Sequence, residues 1–406
     1  MRTQSIQFTN ATGYRLSARL ELPPNSHPHT FAVFAHCFTC NKNLTAVRNV
    51  ARALTQRGIG VLRFDFTGLG ESEGDFADTN FTGNVLDLIS AAEYLEEHHL
   101  PPAILIGHSL GGAAVLCAAG KLPSVRAVAT IGAPADPKHV THLFEEDIAM
   151  IETEGAATVL LGGRKFKVKR QFLEDLKEVN FKEKLQSLNR SLLVLHSPQD
   201  LTVPIENARR IFEAARHPKS FISLDGADHL LSDKNRSRYA GELIGTWAGC
   251  YIDQPEREKL KSDREVVVRL GAEGYTTDVM MRQHALTADE PESVGGNDFG
   301  PNPYELLNAS LGACTAMTLQ MYARRKKWDL REVRVHLNHR KDYAEDMQNH
   351  ADKKSKIDHF DRLVEVEGEL STEQVQRLLE IADRCPVHRT LHTESVVQTQ
   401  IKLVDS

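Results

Sequence analysis

The sequence predicts an α/β domain, a mostly parallel sheet with helices on both faces, followed by an α+β domain. Three observations predict this. Up to about residue 250, short β-rich runs alternate with helical stretches, the pattern of a parallel sheet covered on both sides. From Asp253 to Val266 the chain reads DQPEREKLKSDREV, highly charged and nearly free of apolar residues, which marks a linker. Beyond it, strands and helices come in unequal blocks rather than as repeating units. The chain has 406 residues, too many for one ordinary core, and at 41% hydrophobic it is apolar enough to bury more than one.

The opening runs SIQFT and YRLSARLEL lie close together and read as an antiparallel edge hairpin. FAVFA (31–35) follows as a buried strand. Asn43 to Leu54 places Val47, Val50, Ala51 and Leu54 on one face, so it reads as an amphipathic helix. The runs GVLRFD (60–65), PAILIG (102–107), RAVATIG (126–132), SLLVLH (191–196) and SFISL (220–224) supply the other strands. Residues of about 136–188 form a charged, helix-prone, cap-like insertion between two of them. The expected division is a first domain over 1–252, a linker over 253–264 and a second domain over 265–406. The second domain reads as strands VVVRL and YTTDVMM, a long helix, strands VRVHLNH and LVEVEGEL, another helix, and a final strand. There is no internal repeat and no low-complexity tract.

Composition excludes several classes of function. The formal net charge is −6, with acids and bases spread along the chain, so there is no footprint for nucleic acid or an anionic membrane. The first residues, MRTQSIQFTN, contain no apolar signal core, and no run approaches the roughly 18 apolar residues of a membrane span. A soluble, cytoplasmic protein is expected. Six cysteines are too sparse for a disulfide scaffold of this length. In a reducing compartment a special cysteine is more often catalytic than structural.

The first chemical motif is Gly107-His108-Ser109-Leu110-Gly111-Gly112, after the apolar run AILI and before the Ala-rich AAVLCAAGKL. A serine in Gly-x-Ser-x-Gly needs small neighbours because the strand-to-helix turn is tight. The turn lifts the hydroxyl above the sheet edge. A serine hydroxyl is a weak nucleophile and needs a base that is itself oriented by an acid. Asp200, just past SLLVLH, and His229, just past SFISL, follow in the required order at strand ends. Asp225 and Asp228 are weaker acid candidates, being close to His229 in sequence.

These features resemble the α/β-hydrolase superfamily over roughly residues 1–250, and RFDFTGLGESEG (63–74) looks like the loop after that superfamily's fourth strand. The resemblance implies hydrolysis of an ester, thioester or other small acyl substrate. It also implies an oxyanion hole from two backbone N–H groups, Leu110 and, in the loop after FAVFA, Phe38. Where many such hydrolases have His-Gly, this loop has His36-Cys37. That creates Cys37-x-x-Cys40, read either as two small soft side chains or as a redox pair. A disulfide there is expected to distort the loop and inhibit the domain.

The second motif begins at Gly300. Asn302 can cap a helix, Pro303 fits its first turn and Glu305 completes a capping box. Leu307, Leu311, Cys314, Thr318 and Met321 share one helical face, so packing makes Cys314 a core thiol by default. A later helix opens at Ser371 with Gln374 as capping partner. Val375, Leu378, Leu379 and Ala382 form its inner face, and Pro386 ends it beside Cys385. Cys385-x-x-His388 offers two metal ligands with no matching second pair, so no metal is expected, and no cofactor.

The stretches ALTADEPESVGGNDFGPNPYELL, NASLGACTAMTLQMYARRKKW and IADRCPVHRTL resemble the OsmC/Ohr family over about residues 265–406. The resemblance implies a thiol peroxidase in which Cys314 attacks an organic hydroperoxide and Cys385 resolves the sulfenic acid. It implies a dithiol or lipoyl protein as reductant and an intertwined homodimer. It also implies an activating arginine, Arg269 or Arg282, and a glutamate, matched by Glu305. On one straight helix Glu305 and Cys314 lie on opposite faces, roughly 13 Å apart along the axis. Glu305 therefore reads either as a cap alone or as an activator reached through a bend or an arginine. The different reading of this domain is a dimerisation, ligand-binding or redox-sensing module without turnover.

Overall fold

The computed structural model describes residues 2–23, 28–161, 163–253, 260, 262–272, 274–343 and 356–403. Most of the expected linker, 254–259 and 261, lies outside the described residues. The chain forms two compact units. One is Met1–Gly274 with Met280–His284, the other Tyr275–Val279 with Ala285–Ser406.

In the first unit, β1 (Arg2–Thr9) and β2 (Arg15–Leu22) pair antiparallel at the sheet edge. Then come β3 (Thr30–Ala35), α1 (Thr45–Thr55), β4 (Ile59–Phe64), α2 (Phe81–His98), β5 (Pro102–His108), α3 (Leu110–Ala118) and β6 (Ala127–Ile131). The insertion after β6 holds α4 (Ile148–Glu154), the hairpin β7 (Ala156–Leu161) with β8 (Arg164–Lys169), α5 (Arg170–Glu178) and α6 (Phe181–Gln186). The unit's core is completed by β9 (Ser191–His196), α7 (Glu206–Ala214), β10 (Lys219–Ser223) and α8 (Lys234–Ala248).

The main sheet has the order β1-β2-β4-β3-β5-β6-β9-β10 among the described residues, parallel from β4 to β10. Every residue of β3, β4, β6 and β9 is buried, which is why these runs are continuously apolar rather than alternating. The sheet face carrying Leu105 and Val128 packs against α2 and α3, and the face carrying Ile104 and Ala129 against α1 and α8. Chain order reverses between β3 and β5, so the loops after these two strands open side by side, where a doubly wound sheet holds its site.

β11 (Val266–Leu270), β12 (Thr277–Met281) and β13 (His284–Ala288) form a separate sheet. The second unit continues with α9 (Pro303–Lys326), the antiparallel pair β14 (Asp329–Tyr343) and β15 (Lys356–Glu369), α10 (Thr372–Ala382) and α11 (Pro386–His392). Both expected capping boxes are formed, Asn302 with Glu305 and Ser371 with Gln374.

Four expectations need correction. The buried stripe of α9 is Leu311, Thr315, Leu319 and Ala323, with Cys314 half-buried at its flank and Met321 72% exposed. In α10, Leu378, Ile381 and Ala382 are buried while Val375 and Leu379 face outward, because only one flank of each helix meets β14, β15 and its neighbour. Pro386 opens α11 instead of ending α10, and Cys385 is the cap of that new helix. The final strand is also not formed: residues 394–403 are exposed and belong to no helix or strand.

Candidate active sites

β5 ends at His108, and α3 begins at Leu110. Between them Ser109 takes φ 55° and ψ −124°, a backbone that non-glycine residues rarely adopt. The turn is this tight because the neighbouring chain leaves no room. A Cβ on Gly111 would stand 2.4 Å from the carbonyl oxygens of Ala35 and His36. Gly111 is therefore what lets the serine turn lie against the end of β3.

His229 Nε2 lies 3.0 Å from Ser109 Oγ, and His229 Nδ1 lies 2.7 Å from Asp200 Oδ2. Asp200 also accepts the amides of Thr202 and Val203 at 2.9 and 2.8 Å. Burial pushes its pKa up, but the hydrogen bond and charge of His229 and these two amides outweigh that and hold it below the usual carboxylate range. An ionised Asp200 only accepts, so His229 donates from Nδ1 and turns its Nε2 lone pair to the serine hydroxyl. Asp225 and Asp228 are engaged elsewhere, by Ser223 and by the amide of Ser232.

Two further histidines surround this chain of bonds, and neither stands out in the sequence. His108 Nε2 donates to the carbonyl of His229 at 2.6 Å, and His196 Nε2 donates to the carbonyl of Val203 at 2.7 Å. Burial drives the His108 pKa down to about 3, with the nearby His229 adding to the effect, and burial also lowers His196. Both are neutral pillars beneath the loops that carry His229 and Asp200.

The loop after β3 holds Phe38. Leu110 is the first residue of α3, so its N–H is one of the donors that a helix start leaves without an intrahelical partner. Phe38 and Leu110 line one small pocket together with His36, Phe66, Phe76 and Ala114. The insertion covers it with aromatic rings: Phe172 stacks on Phe38 at 5.5 Å, Phe166 meets Phe76 at 4.9 Å, and Phe38 meets Phe76 at 5.4 Å. Behind the loop, Lys42 is fully buried between Asp65 and Glu71, at 2.5 and 2.8 Å.

Cys37 and Cys40 are joined by a disulfide, with Cα atoms 5.3 Å apart. The bond expected to distort the loop is thus present in the folded chain. The bond fits because the segment already turns: Cys40 N–H donates to the Cys37 carbonyl at 3.1 Å. With it closed, His229 stands within hydrogen-bond distance of both Ser109 and Asp200.

In the second unit, Cys314 and Cys385 are free thiols, Cys314 half-buried and Cys385 fully buried. Cys385 Sγ lies 3.7 Å from Thr315 Oγ1, on the residue next to Cys314, and accepts the His388 amide at 3.3 Å. Arg362 reaches into the same cluster, donating to Thr315 Oγ1 at 2.9 Å, to the Ala382 carbonyl at 3.2 Å and to Asp383 at 2.6 Å. Arg362 shares the inner face of β15 with Val364 and Val366; a charge in register with two valines was its sequence signal. Arg269 lies on β11, and Arg282 lies in the β12–β13 turn, where its amide bonds to Glu265. α9 is unbroken, so Glu305 stays in its first turn with its carboxylate on the Asn302 amide at 2.8 Å.

Comparison with known proteins agrees with both halves. The chain matches the alpha/beta hydrolase family over residues 32–242 and the OsmC-like protein family over residues 295–400. The crystal structure of the esterase domain of a Rhodothermus marinus protein is 51% identical, covering 62% of this chain and 99% of that one, with a TM-score of 0.52. Est1E from Butyrivibrio proteoclasticus, solved with ferulic acid, is 18% identical with a TM-score of 0.51, covering 60% of this chain and 97% of that one; it shares the fold. The uncharacterized protein YfhR of Salmonella typhi is 23% identical over 243 residues, 58% of this chain and 77% of its own. The chain belongs to the alpha/beta hydrolase family and carries an OsmC-like domain on the same polypeptide.

Proposed function

We propose that the hydrolase domain cleaves an ester, thioester or small acyl substrate through Ser109, His229 and Asp200. The observation that carries this reading is the unbroken chain of hydrogen bonds from Ser109 Oγ through His229 to Asp200, at 3.0 and 2.7 Å. Ser109 Oγ attacks the acyl carbon while His229 Nε2 takes its proton. Asp200 keeps the imidazole in the required tautomer and stabilises the imidazolium. The N–H groups of Phe38 and Leu110 receive the oxyanion, each worth on the order of 3 kcal/mol. His229 then protonates the departing alcohol or thiol, and water repeats the sequence to free the acid. The identity with an esterase domain and the small aromatic-lined pocket favour a compact acyl group. Ser109→Ala is expected to lower turnover of a short p-nitrophenyl ester by about 10³-fold or more. A fluorophosphonate should label Ser109 alone; retained turnover or labelling elsewhere would sink the assignment.

The OsmC-like domain is read as a reductase of organic hydroperoxides. The Cys314 thiolate attacks the peroxide oxygen, giving a sulfenic acid and an alcohol. The Cys385 thiolate then displaces water to form a disulfide, and a dithiol or lipoyl protein returns both thiols. The half-exposed Cys314 beside the Thr315–Cys385 contact supports this order, with the accessible thiol reacting first. A specific observation favours a second reading, a binding or dimerisation module: Cys385 is 0% exposed and already caps α11. One equivalent of cumene hydroperoxide separates them. Loss of two hydrogens mapped to Cys314–Cys385 supports the peroxidase, and two thiols that stay free support the module.

A further inference from the structure

We infer that the Cys37–Cys40 disulfide is a positioning device for the hydrolytic reaction. It holds the Phe38 N–H at the oxyanion, and a dithiol that reduces it lowers turnover without weakening substrate binding. This inference rests on the hydrolase mechanism proposed above.

The bond closes a four-residue loop, Cys37-Phe38-Thr39-Cys40, at the C-terminal end of β3. Inside that loop Thr39 has φ 60°, a left-handed conformation that is unfavourable for a β-branched residue. Such a conformation persists only when its surroundings over-determine it. Three ties surround it: the disulfide itself, the Cys40 amide on the Cys37 carbonyl at 3.1 Å, and the guanidinium of Arg164, which donates to the Thr39 carbonyl. The disulfide is the covalent one. Freed of it, Thr39 can relax to negative φ, and the peptide that turns with it adjoins Phe38. An oxyanion donor has to sit about 3 Å from the developing charge, so a shift of this kind costs transition-state stabilisation rather than affinity.

The pair is also accessible to chemistry. Cys37 is buried and Cys40 half-buried, so Cys40 is the more open of the two to an incoming thiolate. Its attack breaks the S–S bond and expels the Cys37 thiolate. The second thiol of the reagent then attacks its own mixed disulfide, cyclises, and releases the Cys40 thiolate. Both protein thiolates take up protons, and two electrons pass from the dithiol to the protein.

The test uses the full chain, isolated in air, with p-nitrophenyl acetate. It is assayed before and after treatment with dithiothreitol, which is removed anaerobically before assay. Alkylation and peptide mapping should show Cys37 and Cys40 protected at first and freed by the dithiol. On reduction kcat is expected to fall about tenfold or more while KM stays within about twofold, and reoxidation restores it. Cys40→Ser should match the reduced enzyme and be indifferent to dithiol. Amide hydrogen exchange over residues 36–42 should rise on reduction, a readout that needs no turnover. Exchange that rises in a chain inactive in both states would reject the hydrolase mechanism and keep the clamp. Free Cys37 and Cys40 in the air-isolated protein, or freed thiols with kcat and exchange both unchanged, would overturn the inference.

Discussion

Ser109, His229 and Asp200 are the residues whose motif, chain order and strand-end placement pointed to a role, and their surroundings explain how they are held. Three buried histidines, His36, His108 and His196, have pKa values lowered chiefly by burial, His108 to about 3. Their linkage has a definite sign. An unfolded histidine binds a proton near pH 6.5, and the folded His108 does not until about 3. Between these values the unfolded state holds more protons, so stability falls as pH drops below about 6.5. His108 contributes up to about 1.4 kcal/mol per pH unit in that window, and His36 and His196 act in the same direction. His108→Gln, which can keep a donor toward the His229 carbonyl, should flatten the curve of stability between pH 4.5 and 6.5 by one such increment. An unchanged slope in urea titrations would contradict the assignment.

At the scale of elements, the strand-to-helix turn and the loop after β3 form one construction. Ala35 of β3 stands opposite Gly107 of β5, and Gly111 gives α3 its close approach to β3. Gly111→Ala puts a methyl within 2.4 Å of two carbonyl oxygens that belong to rigid strand-end backbone. We expect a loss of about 2–3 kcal/mol in stability from this overpacking, and ester turnover reduced at least tenfold. A melting curve and kcat indistinguishable from the parent protein would show that α3 can move aside. The alternating pattern made the strands and the turn legible. The helix faces were less so: the apolar residues of α9 and α10 fit more than one stripe, and only contact with β14 and β15 selects Leu319 and Leu378 over Met321 and Leu379.

For the whole molecule, the second unit leaves apolar side chains without cover. Met317 is 65% exposed, Leu363 61% and Leu379 55%, and residues 394–403 present Val396, Val397, Ile401 and Leu403 to solvent. Isolated exposed hydrophobics are ordinary, and a contiguous patch of them is what an association surface requires. We propose that these side chains are covered in the homodimer that the OsmC resemblance implies. Sedimentation should give a dimer mass, and Leu363→Lys with Leu379→Lys should shift it toward the monomer while ester hydrolysis persists. A monomeric parent chain would refute the dimer.

The sequence by itself determined the two fold classes, the apolar runs of the central strands, the capping of α9 and α10, and the glycine-flanked turn that carries Ser109. Each of these is local: a run of apolar residues, a cap at fixed offset, a glycine-flanked turn. What only the tertiary structure decided depends on residues far apart in the chain. Arg362 meets Thr315 across 47 positions, Phe172 stacks on Phe38, and His108 supports His229 across 121. The disulfide belongs to the same class despite its short span. Spacing permits Cys37 and Cys40 to bond or stay apart, and the turn built at the end of β3 brings them together.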